Sequence, residues 1–167
     1  KNDKVLEIGT GWGSFALHAA KNYGCHVTTT TISDNQFSYV SDLISKENLS
    51  SQITLLNRDY RELEGSFDKI VSIEMIEAVG HDHVSGFFNK VSSLLRPSGL
   101  MALQGITYNE PDFETYKNSV DFIKKYIFPG GCLVSVSQIK DAINGKTDLT
   151  LVEVEDITQH YARTVKY

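Results

Sequence analysis

The sequence is poor in cysteine, proline and tryptophan, and it has no apolar run of membrane-spanning length. Its 167 residues include two cysteines, three prolines and one tryptophan. Cys25 and Cys132 lie in apolar sequence and lack the spacing of metal ligands, which favours reduced thiols in a cytoplasmic protein over a metal centre. Without a run of about 20 apolar residues, the chain is not expected to cross a bilayer.

The sequence also has no excess of basic residues. The formal net charge is -5, from 16 basic and 21 acidic residues, which argues against a nucleic-acid partner and against strong non-specific adhesion to anionic lipid. With 41% hydrophobic and 22% charged residues, we expect residues 1–167 to form a single globular domain. Because the chain opens at Lys1 without Met, directly before an apolar strand, we expect a fragment that lacks N- and C-terminal segments.

Strands and helices alternate along the chain, which predicts an α/β fold with a mostly parallel sheet and helices on both faces. The predicted strands are 5–8, 26–30, 53–56, 69–73, 100–103 and a late strand over 149–154. The first predicted helix begins at Ser14 and has Ala16, Ala19, Ala20 and Tyr23 on one face, and the second follows Ser33 as its N-cap. The third begins at Val84, carries an apolar stripe to Leu95 and is ended by Pro97-Ser98-Gly99. The fourth runs from Tyr116 to Ile127. Residues 108–113 are predicted as a loop.

The first strand runs directly into a glycine turn, Gly9-Thr10-Gly11-Trp12-Gly13, which opens the helix at Ser14. Glycines permit positive φ and a close approach of a ligand to the backbone, and free N–H groups at a helix start bind anions. The third glycine stands at position 13, whereas the dinucleotide fingerprint needs it at position 14. This spacing favours S-adenosylmethionine, which brings one carboxylate, over NAD. A tight turn with a purely structural role is the alternative.

Ligands of open α/β sheets lie beyond the carboxyl ends of the strands. After the second strand, Thr31 and Gln36 are candidates for holding the ribose or the amino-acid end of a cofactor, and a solvated cap region is the alternative. After the third strand, Asp59 is a candidate acceptor for an adenine amino group, and Tyr60 is a candidate for packing on the ring. A surface turn with a half-buried tyrosine explains these two residues equally well.

The fourth predicted strand ends in two carboxylates, Glu74 and Glu77, within an otherwise apolar segment. Catalytic acids are commonly placed in such surroundings, so Glu77 is a candidate base or cation stabiliser. His81 and His83 lie two residues apart in a polar loop without a third ligand, which favours solvated side chains over a metal site. Gln104, at the end of the fifth strand, is either a ligand-orienting side chain or a buried structural amide.

Taken in order, these motifs resemble the cyclopropane-fatty-acyl-phospholipid synthases, S-adenosylmethionine-dependent enzymes that include the mycolic acid cyclopropane synthases. The resemblance covers nearly the whole chain. The glycine motif is shared by most such methyltransferases, whereas the segments around Glu77 and Phe128-Pro129 are far more specific. The matching segments are 5–13, Thr31-Ile32-Ser33 with Gln36, Asp59-Tyr60-Arg61, 75–80, 126–133 and 160–164.

The resemblance implies a Rossmann-like class I methyltransferase fold and a cytoplasmic enzyme that works at the inner membrane face. Its substrate would be the double bond of an unsaturated phospholipid acyl chain, which is methylated and closed to a cyclopropane. The family uses a bound bicarbonate as base, and the residues implied around it are Glu77, Gln104, Ile106 and Tyr161. The expected cofactor contacts are Glu7, Gly9, Thr10, Gly11, Gly13, Thr31, Ile32, Gln36, Asp59 and Tyr60. Tyr126, Phe128 and Tyr161 are candidates for lining an acyl pocket or for plain core.

The chain also departs from the family's pattern. Thr10 stands where many relatives have Cys, Gln104 where several have His, and Val134 where Pro is often found. The upstream segment that supplies a Cys beside the bicarbonate in relatives is absent, so we expect the chain alone to show little or no transfer. Two alternatives remain open, a small-amine N-methyltransferase and a catalytically silent cofactor-binding domain.

Overall fold

The computed structural model describes residues 3–166 and contains one five-stranded, all-parallel sheet in the order β3-β2-β1-β4-β5. The strands are β1 (Lys4–Ile8), β2 (His26–Thr31), β3 (Ile53–Asn57), β4 (Phe67–Ile73) and β5 (Leu95–Gln104). The first five predicted strands and the α/β class are therefore confirmed. Because the strand order reverses beside β1, a crevice opens at the carboxyl ends of β1 and β4.

Six α-helices accompany the sheet in the described part of the chain. They are α1 (Ser14–Tyr23), α2 (Asp34–Lys46), α3 (Val84–Leu94), α4 (Phe113–Lys117), α5 (Val136–Lys146) and α6 (Thr158–Val165). Ser33 caps α2 by accepting a hydrogen bond from the backbone N–H of Gln36, as predicted. The predicted apolar stripe of α3 is buried from Val84 to Leu94, whereas Leu95 already belongs to β5. No helix among residues 3–166 is long and apolar enough to cross a membrane.

The core has two parts, one on each face of the sheet. Successive residues of a strand point to opposite faces, so Val5 packs with the buried alanines of α1 and with Val40 of α2. Leu6 and Ile8 face the other way and pack with Phe87 of α3 and with α5. Burial on both faces fixes the register of β1, whose carboxyl end carries the glycine turn.

Three predicted boundaries are wrong. Tyr23, placed on the buried face of α1, is 63% exposed, because Gly24 ends the helix at φ 63° and carries Tyr23 away from the sheet. Pro97-Ser98-Gly99 does not end α3, which stops at Leu94. These residues instead form an irregularity within β5, with Ser98 at φ 64°. The predicted loop over 108–113 contains a 3₁₀ turn, Glu110–Asp112, and ends where α4 begins.

The continuous helix predicted over 116–127 is also wrong. Helix α4 ends at Lys117, and a π-helical turn, Ile123–Ile127, follows after a break. The carbonyls of Glu114 and Tyr116 accept hydrogen bonds from both the backbone N–H and the side chain of Asn118 and Ser119, respectively, and these bonds close the end of α4.

The late strand predicted over 149–154 is absent from the structure. This segment forms no ladder with any described strand, although its side chains lie along β5. Helices α5 and α6, which the sequence analysis did not predict, flank it, and α5 packs against α3. An apolar run indicates burial, but strand formation also needs a hydrogen-bonding neighbour, which side-chain patterns do not reveal.

Candidate functional site

The glycine turn connects β1 to α1 and leaves the start of α1 open. Gly9, Gly11 and Gly13 have φ values of 100°, 53° and 86°, which only glycine adopts without strain. A Cβ at Gly9 would lie 3.2 Å from Met75, and one at Gly13 would lie 3.1 Å from Leu17. A Cβ at Gly11 would meet nothing within 4 Å. Close packing therefore explains two of the glycines, whereas the open space over Gly11 is the space that a ligand needs.

Backbone hydrogen bonds connect the same turn to β2. The backbone N–H groups of Gly9 and Thr10 both donate to the carbonyl of Thr30, at 3.2 and 2.8 Å. No side chain caps the start of α1, so the first-turn N–H groups of that helix remain available to an anion.

Glu7 lies at the buried end of a polar chain under the turn. Its side chain accepts a hydrogen bond from Thr29 Oγ1 at 2.5 Å, and Thr29 Oγ1 lies 2.5 Å from Thr10 Oγ1. Glu7 is only 3% exposed, and this burial raises its pKa to about 7 despite the hydrogen bond from Thr29. Glu7 thus supports the turn from beneath, and Thr29 is a contributor that the sequence analysis missed.

The side chains of Thr31 and Gln36 are hydrogen-bonded to each other after β2. Thr31 Oγ1 donates to Gln36 Oε1 at 2.8 Å and accepts from the backbone N–H of Ser33 at 3.1 Å. The amide oxygen of Gln36 is used within the pair, which leaves its NH₂ group as a donor. Ile32, between them, is 75% exposed.

Asp59 and Tyr60 follow β3 and have different environments. Asp59 accepts hydrogen bonds from the backbone N–H, Nε and Nη2 of Arg61, at 2.9, 2.9 and 2.6 Å. The hydrogen bonds from Arg61 hold the pKa of this carboxyl below its usual range. Tyr60 is half-buried and packs edge-on against Phe87 of α3, with ring centroids 5.4 Å apart. The predicted half-buried tyrosine is confirmed, while the adenine contact of either residue stays a prediction.

Glu77 is fixed at the end of β4 by its own backbone and side chain. Its Oε1 accepts from the backbone N–H of Ile106 at 2.6 Å, and its carbonyl accepts from the N–H of Cys132 at 2.7 Å. The other carboxylate oxygen is buried without a hydrogen-bond partner. A Cβ at Gly105 would lie 2.8 Å from Ile76 and 3.4 Å from Glu77 Oε1, so this close approach of β5 requires glycine.

Glu74 contacts Gln104 and Tyr161, two of the predicted catalytic residues. Its backbone N–H donates to the carbonyl of Gln104 at 2.9 Å, and its Oε1 accepts from Gln104 Nε2 at 3.1 Å. The negative charge of Glu74 is the largest cause of the raised pKa of Tyr161, followed by burial, a hydrogen bond to Glu74 and the charge of Glu77. The structure therefore brings Glu77, Gln104, Ile106 and Tyr161 together, with Glu74 among them; we call these five residues the carboxylate cluster.

The carboxylate cluster adjoins the glycine turn. Met75 links the two elements in space, because its side chain lies beside Gly9 while its neighbour in sequence, Glu74, contacts Gln104. A groove of about 1460 Å³ runs from Glu74 and Tyr161 along β5. Its apolar lining includes Leu100, Leu103, Ile106, Leu151 and Val154.

Other predicted residues lie elsewhere. Tyr126 and Phe128 are 61% and 67% exposed, so neither is plain core, and both lie outside the lining of this groove. His81 was expected to be solvated but is half-buried. Its ring packs edge-on against Phe113, and its Nδ1 lies 3.4 Å from Gln138 Oε1.

The carboxylate cluster has groups that suit a bicarbonate ion. The buried oxygen of Glu77 has no hydrogen-bond donor, and the hydroxyl of bicarbonate is such a donor. Gln104 uses one N–H of its amide on Glu74, which leaves the second as a donor to the ion. The presence of bicarbonate at this site stays a prediction.

Known proteins resemble this chain in sequence and in fold. The chain is 36% identical to tuberculostearic acid methyltransferase UfaA1 of Mycobacterium tuberculosis over 162 residues, 97% of the chain and 38% of that protein. It is 40% identical to the cyclopropane-fatty-acyl-phospholipid synthase of Escherichia coli K12 over 136 residues, 81% of the chain and 34% of that protein. Its fold matches mycolic acid cyclopropane synthase CmaA1, solved with SAH and CTAB, with a TM-score of 0.88 and 28% identity. That match covers 99% of this chain and 61% of the other.

The chain thus spans less than two thirds of the length of each of these relatives. A family model described as mycolic acid cyclopropane synthetase matches residues 1–167, the whole of the chain. Sequence and fold agree, and the chain belongs to the mycolic acid cyclopropane synthetase family.

Proposed function

We propose that the chain is the cofactor-binding core of an S-adenosylmethionine-dependent enzyme that methylates the double bond of an unsaturated phospholipid acyl chain. One observation carries this proposal. An open glycine turn and the carboxylate cluster lie side by side at the carboxyl ends of β1 and β4, with Met75 packed between them. Family membership and the SAH complexed with CmaA1 support the same cofactor.

The glycine turn is suited to the carboxylate of the cofactor. The space over Gly11 is open, and the uncapped N–H groups of α1 carry the positive end of the helix dipole. Thr31 and Gln36 lie at the end of the neighbouring strand β2, where the remaining NH₂ donor of Gln36 serves the ribose or the amino-acid end. Asp59 and Tyr60 lie beyond β3 and are the proposed adenine contacts.

Bound S-adenosylmethionine supplies an electrophilic methyl group on a positively charged sulfur. Attack by an alkene places positive charge on the acyl chain, and Glu77 provides a fixed negative charge where that charge develops. Its buried oxygen has no hydrogen-bond donor, so its charge is less neutralised by the protein than that of a fully bonded carboxylate. The groove along β5 has a largely apolar lining, which suits an acyl chain better than a polar substrate.

Labelled methyl transfer by the full-length protein tests this proposal. We expect label from S-adenosylmethionine in vesicles of unsaturated phospholipid and none in matched vesicles of saturated phospholipid, which lack the nucleophilic alkene. Both products gain CH₂ and have the same mass, so ozonolysis before mass spectrometry separates simple methylation, which keeps a cleavable double bond, from ring closure, which loses it.

Two results would contradict the proposal. Transfer to small amines but not to lipid would favour an amine N-methyltransferase. Cofactor binding by calorimetry without transfer to either acceptor class would identify a catalytically silent binding domain.

A further inference from the structure

We propose that Tyr116 is a positioning residue for Glu77, because its hydroxyl holds the chain segment whose backbone fixes Glu77 at the end of β4. This inference rests on the proposed function, since it concerns the carboxylate that we assign to the developing cation. The role belongs to a residue outside the set of site residues predicted from the sequence.

Residues 132–134 form a short segment, which we call the strap, between Glu77 and the chain that follows β5. The backbone N–H of Cys132 donates to the carbonyl of Glu77 at 2.7 Å. At the other end of the strap, the carbonyl of Val134 accepts from the backbone N–H of Tyr108 at 2.8 Å. Cys132 and Val134 are buried, so the strap is bonded at both ends within the protein interior.

The strap supports both hydrogen-bonded groups of Glu77. It binds the carbonyl of Glu77 directly, whereas Oε1 of the side chain accepts from the backbone N–H of Ile106 at 2.6 Å. Ile106 is followed by Thr107, which pairs with Val134 of the strap in a parallel bridge. A shift of the strap would therefore move the backbone of Glu77 and also the donor that orients its carboxylate.

Tyr116 binds the strap at its middle residue. The backbone N–H of Leu133 donates to the hydroxyl oxygen of Tyr116 at 3.1 Å. Tyr116 is only 6% exposed, and this burial raises the pKa of the phenol, which keeps the hydroxyl neutral. A buried N–H that loses its acceptor is costly, so we expect the strap to move when this hydroxyl is removed.

The ring of Tyr116 is itself fixed by two neighbours. Tyr108 stacks on it with ring centroids 4.0 Å apart, and Nζ of Lys124 lies 3.5 Å from its centroid. The same ammonium group donates to the carbonyls of Tyr116 and Ser119, at 2.5 and 2.9 Å. A ring that is locked in this way gives its hydroxyl a defined position, as the support of a catalytic group requires.

Tyr116 lies outside the lining of the groove along β5, so it acts through Glu77 and does not touch the substrate. Tyr116→Phe in the full-length enzyme removes the hydroxyl and keeps the ring. Tyr108→Phe is the matched control, because no hydrogen bond of the Tyr108 hydroxyl is found among residues 3–166 although its ring belongs to the same stack.

We expect kcat for methyl transfer to unsaturated phospholipid to fall about 10- to 100-fold in Tyr116→Phe, because small displacements of a catalytic group have effects of this size. The KM for S-adenosylmethionine should stay within a few-fold of the parent, and Tyr108→Phe should keep the parental kcat. A lower melting temperature of Tyr116→Phe with parental kcat would assign the hydroxyl to the fold alone and overturn the inference.

A double-mutant cycle tests whether the effect passes through Glu77. If it does, Tyr116→Phe should lower kcat much less in a Glu77→Gln background than in the parent, because the charge that it positions is already gone. Losses that multiply in the double variant would contradict the inference.

Hydrogen exchange provides a readout without turnover. The amides of the strap and of Ile106 should exchange faster in Tyr116→Phe than in Tyr108→Phe, whereas those of Gly9 and Thr10 should exchange equally in both. Equal exchange of the strap in the two variants would overturn the inference. Failure of the parent to methylate any lipid would instead contradict the proposed function, since the exchange of the strap is independent of activity.

Discussion

Thr29 Oγ1 donates to Glu7 Oε2 at 2.5 Å, and this bond joins the second strand to the residue that supports the glycine turn. Thr29 is fully buried, so water cannot replace its hydroxyl. Because Thr29 also contacts Thr10 at 2.5 Å, one side chain links the buried carboxyl to the turn.

Removal of this hydroxyl should weaken the fold and the turn together. In Thr29→Val, which keeps the shape, the free energy of unfolding should fall by about 1–3 kcal/mol, because a buried acceptor loses its donor. Cofactor affinity should fall several-fold, as Thr10 loses its partner. Thr29→Ser keeps the hydroxyl and is the control. Denaturation and calorimetry provide the two measurements, and a Thr29→Val protein that matches the parent in both would show that the link is dispensable.

The raised pKa of Glu7 predicts a dependence of stability on pH. The pKa is 4.5 in the unfolded chain and about 7 in the folded protein, so the folded state binds the proton more tightly. This contribution to stability is fully present below pH 4.5 and is lost as the pH rises through 7. Its size is roughly 3 kcal/mol.

Glu7→Gln removes this titration while keeping a polar side chain beside Thr29. The variant should therefore be more stable than the parent at pH 8 and should lose that advantage at pH 5. Denaturant midpoints at the two pH values measure the difference. An equal difference at both pH values would assign the titration to other groups.

Gly11 and Gly24 form a matched pair at the two ends of α1. Both have positive φ, 53° and 63°, and a Cβ at either would meet nothing within 4 Å. Gly11→Val and Gly24→Val should therefore cost similar backbone strain, about 1–2 kcal/mol. Only Gly11→Val should weaken cofactor binding, by at least about tenfold, or about 1.4 kcal/mol. Equal cofactor affinities of the two variants in calorimetry would show that the cofactor does not bind at the turn.

Glu77→Gln should lower turnover without much effect on binding. The substitution keeps the shape near Ile106 and removes the fixed charge, so we expect turnover lower by about two orders of magnitude, or roughly 2.7 kcal/mol. Cofactor affinity should stay within a few-fold of the parent. Glu64→Gln, an exposed site with the same charge change, is the control. A lower melting temperature with normal turnover would instead indicate a structural role for Glu77.

Much of the fold was predictable because local signals agree with global burial. Strand β1 is an apolar run, β2 is rich in threonine, and turn residues separate the strands, while α3 carries its apolar stripe at helical spacing. The prediction failed beyond residue 113, where the helix over 116–127 is broken and the segment 149–154 pairs with no described strand. In that region side-chain hydrogen bonds and the available neighbours decide the structure, and neither can be read from periodicity.

The sequence by itself determined the fold class, the glycine turn and the family, because these depend on residue types at short, fixed spacings. Tertiary structure alone decided which residues act together. Thr29 reaches Glu7 from 22 positions away, Gln104 reaches Glu74 from 30 positions away, and Tyr161 comes from a helix that was not predicted. Such contacts arise from strand order and helix packing, so the pairing of these donors and acceptors became visible only once the chain was folded.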